Sequence, residues 1–273
     1  MDEISKALHQ MAPLKVLGSD SMNATFFQQN WDIIGEEVCW GLLNILNSGM
    51  MPPDLNMNYI ALIPKTSSAE CVTDFWPISL CKVLFKIVSK VLTNRLNKVL
   101  PSIISPTQSA FIPRRIITDN ILAAYETLHA MHTQMWGKKG IMAVKLDMSK
   151  AHDRVEWRFL EVVLRRMDFD ERWIALVMMC VTSVHYAILV NGEPCGHIIP
   201  MRGLRQGDPL SPYLFLLFAE VLSLLITNAN REGFLSGVPS SKKGQKISHL
   251  FSQMIVCCFA GPLLHNGVTY PQF

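Results

Sequence analysis

The chain has 273 residues, of which 49% are apolar, enough to build a sizeable core and too much for a disordered tail. A net charge of +3 is too small by itself to argue for a nucleic-acid partner, so the distribution of charge must carry that argument. Seven scattered cysteines without a C-x-x-C pair exclude a zinc-finger or dithiol motif and read as buried free thiols in a reducing compartment.

The N-terminus, MDEISKALHQM, carries two acids and no apolar h-region. It does not read as a signal peptide, and an intracellular location, nuclear or cytoplasmic, is expected. The patterns predict a helix over DEISKALHQM, another from about Phe26 to Asn47, a turn at Met51-Pro52-Pro53 and a strand over YIALIPK. A helix is expected next from about Ile78 to Leu100, ended by Pro101. Along it Lys82, Lys86, Lys90, Arg95 and Lys98 are assigned to one side with no acid among them, and Val83, Leu84, Ile87, Val88, Val91 and Leu92 to the other. Two readings of that basic stripe stand: a solvated face, or a rail for a phosphate backbone.

After the turn-rich PRRIITD, Asp119 reads as the cap of a helix running to Met131. Beyond WGKKG the texture changes to a strand breaking into a helix, IMAVKLDMSKAHDRVEWRFLEVVLRRM, and a domain boundary is placed near Gly137. The stretch from Trp173 to Val190 is uncharged at neutral pH over nearly the length of a membrane span. Its β-branched second half runs into Asn191-Gly192, a two-residue hairpin signal, and CGHIIP supplies a returning strand. A buried helix followed by a strand is therefore expected, and no membrane partner.

Asp147 stands where an apolar strand gives way to a turn; a carboxylate there either serves the turn or reaches a metal ion beside the sheet. RGLRQGDPLSPYLFLLFAEVLSLLI is a glycine-containing loop closing on a proline-initiated apolar helix. Gly203 and Gly207 allow backbone to approach a ligand, and the Gln206 amide offers contacts to a base or sugar; the plainer reading is an ordinary loop before a buried helix.

Taken in order, ALIPK, DFWPISLC, KVLTNRL, SPTQSAFIPRRIITDNILAAYE, VKLDMSKAHDRVEW and RGLRQGDPLSPYLF resemble the reverse transcriptase domain of non-LTR (LINE-type) retrotransposons, closest to the plant-type elements, over about residues 2 to 251. The resemblance implies an α+β right-hand polymerase, with fingers over residues 1–136, an incomplete palm over 137–251 and no thumb. It also implies RNA-directed DNA synthesis, with an RNA template, a DNA primer, a deoxynucleoside triphosphate and two Mg²⁺ ions held by carboxylates. In that alignment Asp147 matches the first metal-binding aspartate and Met148 offers a backbone carbonyl to the same ion. Lys65 matches a fingers lysine near the triphosphate, and His152 the aromatic that faces the sugar. Gln206 and Gly207 match the loop beside the incoming nucleotide and template, and the basic helix becomes a candidate nucleic-acid rail.

Departures from the pattern fall on functional positions. Trp76 replaces an arginine expected to grip the triphosphate, and indole has one N–H and no charge. Arg114 stands where a glycine is usual, and KVLGSDS replaces a Gly/Pro-rich loop, KAPGPDG. The family continues after KISHLF with F-A-D-D-S-L-L-F, whereas residues 252 to 259 read S-Q-M-I-V-C-C-F. Written as TTC GCA GAT GAT AGT TTG TTG TTT and read one nucleotide later, the family version becomes TCG CAG ATG ATA GTT TGT TGT TT-, which encodes the observed residues when either pyrimidine comes next. Residues 252–273 are therefore expected to be out-of-frame translation, and from Gly233 to Phe273 there is no Asp or Glu. Three outcomes follow for the chain: a working polymerase, a non-catalytic remnant that binds nucleic acid, or an unstable pseudogene product. Loss of the Ala-Asp-Asp hairpin favours the inactive forms, with Mg²⁺ not bound productively.

Overall fold

The computed structural model describes residues 1–13, 18, 20–133, 141–148, 150–240, 246–252 and 255–260. In chain order the elements are α1 (Asp2–His9), α2 (Ala24–Gln29), α3 (Trp31–Ser48), β1 (Met57–Pro64), β2 (Phe75–Leu80), α4 (Val83–Leu96), α5 (Leu100–Ile103) and α6 (Ile117–Thr133). There follow β3 (Met142–Asp147), α7 (Trp157–Arg166), α8 (Glu171–Thr182), β4 (His185–Val190), β5 (Glu193–Ile198), α9 (Ser211–Arg231), β6 (Val238–Pro239), β7 (Lys246–Ile247), β8 (His249–Ser252) and β9 (Ile255–Ala260). This is a mixed α+β chain that divides into two compact units, residues 1–99 with 152–217 and residues 100–151 with 218–273.

The first unit carries a four-stranded sheet in the order β2-β1-β4-β5, with β1 and β4 parallel and both outer pairs antiparallel. The expected hairpin forms at Asn191-Gly192, both residues with positive φ (52° and 87°), as a two-residue turn of this hand requires. The stretch from Trp173 to Val190 is indeed a helix and a strand, α8 and β4. Helix α1 presents Ile4, Ala7 and Leu8 as a buried stripe, with acids in its first turn and bases in its last, and packs on α4. Phe85, Ile87, Val88, Val91, Leu92 and Leu96 of α4 are essentially without exposure.

Two helices differ from expectation for local reasons. The helix expected over Phe26–Asn47 is broken at Asn30, whose side-chain amide donates to the Phe26 carbonyl at 2.8 Å and ends α2. α3 then runs to Ser48 and stops at Gly49 in the left-handed region. Farther on, Ile78–Leu80 belong to β2, not to a helix; β2 is an edge strand and so tolerates Pro77, and α4 begins only at Val83. Pro101 sits inside the next short helix, α5.

The second unit holds a three-stranded antiparallel sheet, β3-β9-β8, and a two-stranded one, β6-β7. Val238, Leu250 and Phe259 are buried against Ala123, Ala124 and Met131 of α6. α6 begins at Ile117, so Asp119 lies in its first turn and is not its cap. The proposed boundary at Gly137 and most of KVLGSDS lie outside the described residues. Among the described residues, α9 alone is long and apolar enough to cross a membrane by length and composition. Its Leu214, Phe215, Leu216, Leu217 and Ala219 are buried, and so are Glu220 and Ser223. All seven cysteines are free; Cys39, Cys81 and Cys180 are buried as expected, but Cys257 and Cys258 are half-buried, and Cys71, between β1 and β2, and Cys195, within the edge strand β5, are exposed.

Candidate active site

In the second unit Asp147 is the last residue of β3, with its side chain exposed. β3 pairs with β9 without a register shift, from Met142↔Ala260 to Asp147↔Ile255. β8 and β9 form a hairpin closing at Ser252↔Ile255, with Gln253 and Met254 outside the described residues. Val256 and Phe259 of β9 are buried, as is Phe251 on β8. Ile255 stands directly across from Asp147.

The root of this hairpin is held by residues that sequence reasoning did not single out. Asn120 donates through its side-chain amide to the carbonyls of Phe251 and Thr107, both at 2.8 Å, and the Phe251 N–H donates to the Thr107 carbonyl at 2.9 Å. Arg115 binds the preceding loop through the carbonyls of Pro101, Ile104, Ser105 and Gln108. His249 Nε2 lies 2.8 Å from Ser223 Oγ, which meets Ser105 Oγ at 2.8 Å, and Ser105 donates to the Glu220 carboxylate from both its N–H and its hydroxyl. Burial pushes His249 down to about 4 and pushes Glu220 up. This is a closed structural network. The only sequence signal for it was the SPTQSAFIPRRIITDN motif itself.

Arg114 in the same loop has φ 66° and an exposed side chain. The position therefore asks for the glycine that the family pattern expects, and arginine is strained there. Arg114→Gly will stabilise the fold by about 0.5–1 kcal/mol, strain relief exceeding the added freedom of the unfolded chain; a higher urea midpoint at constant slope is the readout.

In the first unit the RGLRQGDP loop is hooked onto the HDRVEW segment. The N–H groups of Gly203 and Leu204 donate to the carbonyls of Val155 and His152, both at 2.8 Å, and the Trp157 indole donates to the Gly203 carbonyl at 2.7 Å. Gly203 has φ 93°, and a Cβ there would meet the Asp153 backbone at 3.1 Å, so only glycine fits this approach. His152 stacks on Phe215 at 4.7 Å, and burial lowers its pKa. Gln206 and Gly207 (φ 90°) are exposed at the tip of the loop. Gln206 also lines a cavity of about 260 Å³ with Arg205, Tyr186, Asp153 and Asp208; Lys65 and His152 do not.

Lys65 follows β1, and its Nζ donates to the Thr73 carbonyl at 2.7 Å and lies 5.4 Å from the centre of the Trp76 ring. Trp76, expected as an arginine, is thus a cation–π neighbour of Lys65 and not a second cation. The loop's own arginine, Arg205, is buried. It donates to Asn56 Oδ1 and to Cys81 Sγ and lies 4.3 Å over the Phe85 ring.

The basic stripe is only partly assembled. Lys82 caps α4, and Lys86 and Lys90 follow at four-residue spacing on one face, all three half-buried along their stems. Arg95 is nine residues from Lys86, about half a turn round the helix. It is held by Glu3 of α1 at 2.6 Å, and Lys98 lies past the end of α4, so neither extends the row.

The donor set does not fit a two-metal centre. Asp147 and Met148 are the ligands that the resemblance implies, β3 faces Ile255 at the position of Asp147, and among the described residues no three His, Cys, Asp or Glu side chains are grouped closely enough to hold a metal ion.

Comparison with known proteins agrees with the motifs. The family model for reverse transcriptase (RNA-dependent DNA polymerase) matches residues 63–260. The chain is 30% identical over 227 residues to the transposon TX1 uncharacterized 149 kDa protein of Xenopus laevis, covering 83% of the chain and 17% of that protein. It is 49% identical over 70 residues to an uncharacterized mitochondrial protein of Arabidopsis thaliana (26% of the chain, 57% of that protein). To the retrovirus-related Pol polyprotein from the type-2 retrotransposable element R2DM of Drosophila melanogaster it is 29% identical over 178 residues (65% and 16%). The chain spans about a sixth of the length of the Xenopus and Drosophila relatives. With the motifs, the matched span and these relatives in agreement, this chain belongs to the reverse transcriptase family, as a domain related to the Pol proteins of non-LTR retrotransposons.

Proposed function

We propose that this chain is a plant-type non-LTR reverse transcriptase domain, fingers over 1–136 and partial palm over 137–251, that has lost polymerisation and keeps a surface for nucleic acid. One observation carries the loss: Asp147 is in register with Ile255, so the hairpin backbone persists while the carboxylates needed to bring two divalent ions together do not. Residues 252–273 are read as out-of-frame translation, which accounts for the missing acids beyond Phe251. The plant-type assignment rests on the wording of the motifs. α9 is read as a core helix, since a buried, hydrogen-bonded glutamate in its middle suits protein surroundings better than lipid.

Retained binding is assigned to Lys82, Lys86 and Lys90, with Arg95 and Lys98 outside the row. Lys65, His152, Gln206 and Gly207 are the nucleotide-side residues of the family pattern, and RNA template, DNA primer and deoxynucleoside triphosphate are the proposed ligands. The test is a salt titration of binding to a primed RNA template, run beside an extension assay. Binding is expected to weaken steeply with salt. The triple variant Lys82→Ala/Lys86→Ala/Lys90→Ala should reduce the slope of log K against log salt by about 2–3. Binding indifferent to salt, or a slope unchanged in the variant, removes the surface from the proposal; Asp147-dependent extension removes the loss of catalysis.

A further inference from the structure

The four outer strands of the two larger sheets are protected unequally. β2 contains Pro77, and β5 contains Pro194 and Gly196 and follows a register shift against β4. β8 is short, and its outer side is met by the Thr107 carbonyl and by a bridge from Gln108 to Phe251. β3 has none of these devices. It runs six residues without proline, glycine or bulge, and among the described residues it has a hydrogen-bonded strand neighbour on the β9 side only. Five of its six residues are exposed, including Met142 at 59% and Leu146 at 41%. An open edge of this kind is a template for another strand.

The sequence of β3 selects the occupant. Lys145 and Asp147 lie two apart and so share a face, on either side of Leu146. An antiparallel copy centred on Leu146 sets Lys145 opposite Asp147 of the other copy twice, Leu146 against itself, and Val144 opposite Met148. A copy centred between Val144 and Lys145 instead leaves both charges facing apolar residues. We propose that β3 is the docking edge for a second copy of this chain, the two strands pairing antiparallel about Leu146 to join two three-stranded sheets into one of six. The pairing holds whether or not the chain copies a template.

Charge exchange tests it. In sedimentation velocity over a concentration series the chain is expected to form dimers reversibly. Lys145→Glu or Asp147→Lys alone puts like charges opposite each other at two places and should weaken dimerisation about tenfold or more, while the double variant Lys145→Glu/Asp147→Lys restores it. Both side chains are exposed, and an unchanged far-ultraviolet circular dichroism spectrum checks that each variant folds. Oxidised Leu146→Cys should give a crosslink mapped by mass spectrometry to position 146 in both chains, since directly opposed residues lie within disulfide reach. A monomer at every concentration, or association that ignores the charge exchange, overturns the proposal.

Discussion

Purified protein incubated with a primed RNA template, the four deoxynucleotides and Mg²⁺ or Mn²⁺ will extend no primer above the enzyme-free control, and Asp147→Ala will change nothing. The expectation follows from ligand count. An in-line displacement at phosphorus needs one ion to activate the attacking hydroxyl and one to offset charge on the leaving group, about 3.5–4 Å apart. Holding two dications that close requires several carboxylates between them, and hard cations of this type take oxygen donors. Asp147 brings one carboxylate, and in the register of β3 with β9 its partner is Ile255. No acid follows Gly233 in the chain, so the segment that should supply the others cannot do so from another position. Templated incorporation that disappears in Asp147→Ala would refute the assignment, and incorporation that survives it would point to a contaminating enzyme.

Arg205→Ala will destabilise the first unit by about 1.5–3 kcal/mol, the range for deleting a charged donor from buried hydrogen bonds. Arg205 is 7% exposed and donates to Asn56 and Cys81, with its guanidinium over Phe85 and the Asp208 carboxylate nearby. Asp208 in turn accepts from Ser89 and from the Leu210 N–H at 3.0 Å, which fixes the entry to α9. Alanine leaves Asn56 Oδ1 without its donor, leaves Asp208 buried without its nearby cation, and opens a void beside Phe85. Arg205→Lys keeps the charge but not the planar fork, so it should fall between wild type and alanine. Urea unfolding of the three proteins measures the order. A midpoint for Arg205→Ala within experimental scatter of wild type would mean that the loop holds itself without the guanidinium.

What could be read from the chain alone was of two kinds. Short-range physics was legible because it involves neighbours a few residues apart: the buried stripe of α1, the Asn191-Gly192 turn, and the helix-then-strand reading of an apolar run that imitates a membrane span. The ordered motifs and the absence of acids after Gly233 were legible because they are statements about residue type. Most of the apolar face assigned to α4 is buried, and Arg95 leaves the basic row by helical spacing alone, but distant partners decide the rest. Glu3, 92 positions away, claims Arg95, and pairing with β1 draws Ile78–Leu80 into a strand. The candidate site divides in the same way. Asp147 and the loop around Gln206 were singled out by type and spacing, but the hold of Asn120 on Phe251, the burial of Arg205 against Asn56 and the placement of Ile255 across from Asp147 depend on segments more than a hundred residues apart meeting. Local sequence constrains the torsions of a strand and the faces of a helix; which strand lies beside which, and which charge loses its water, is settled only when the whole chain has packed.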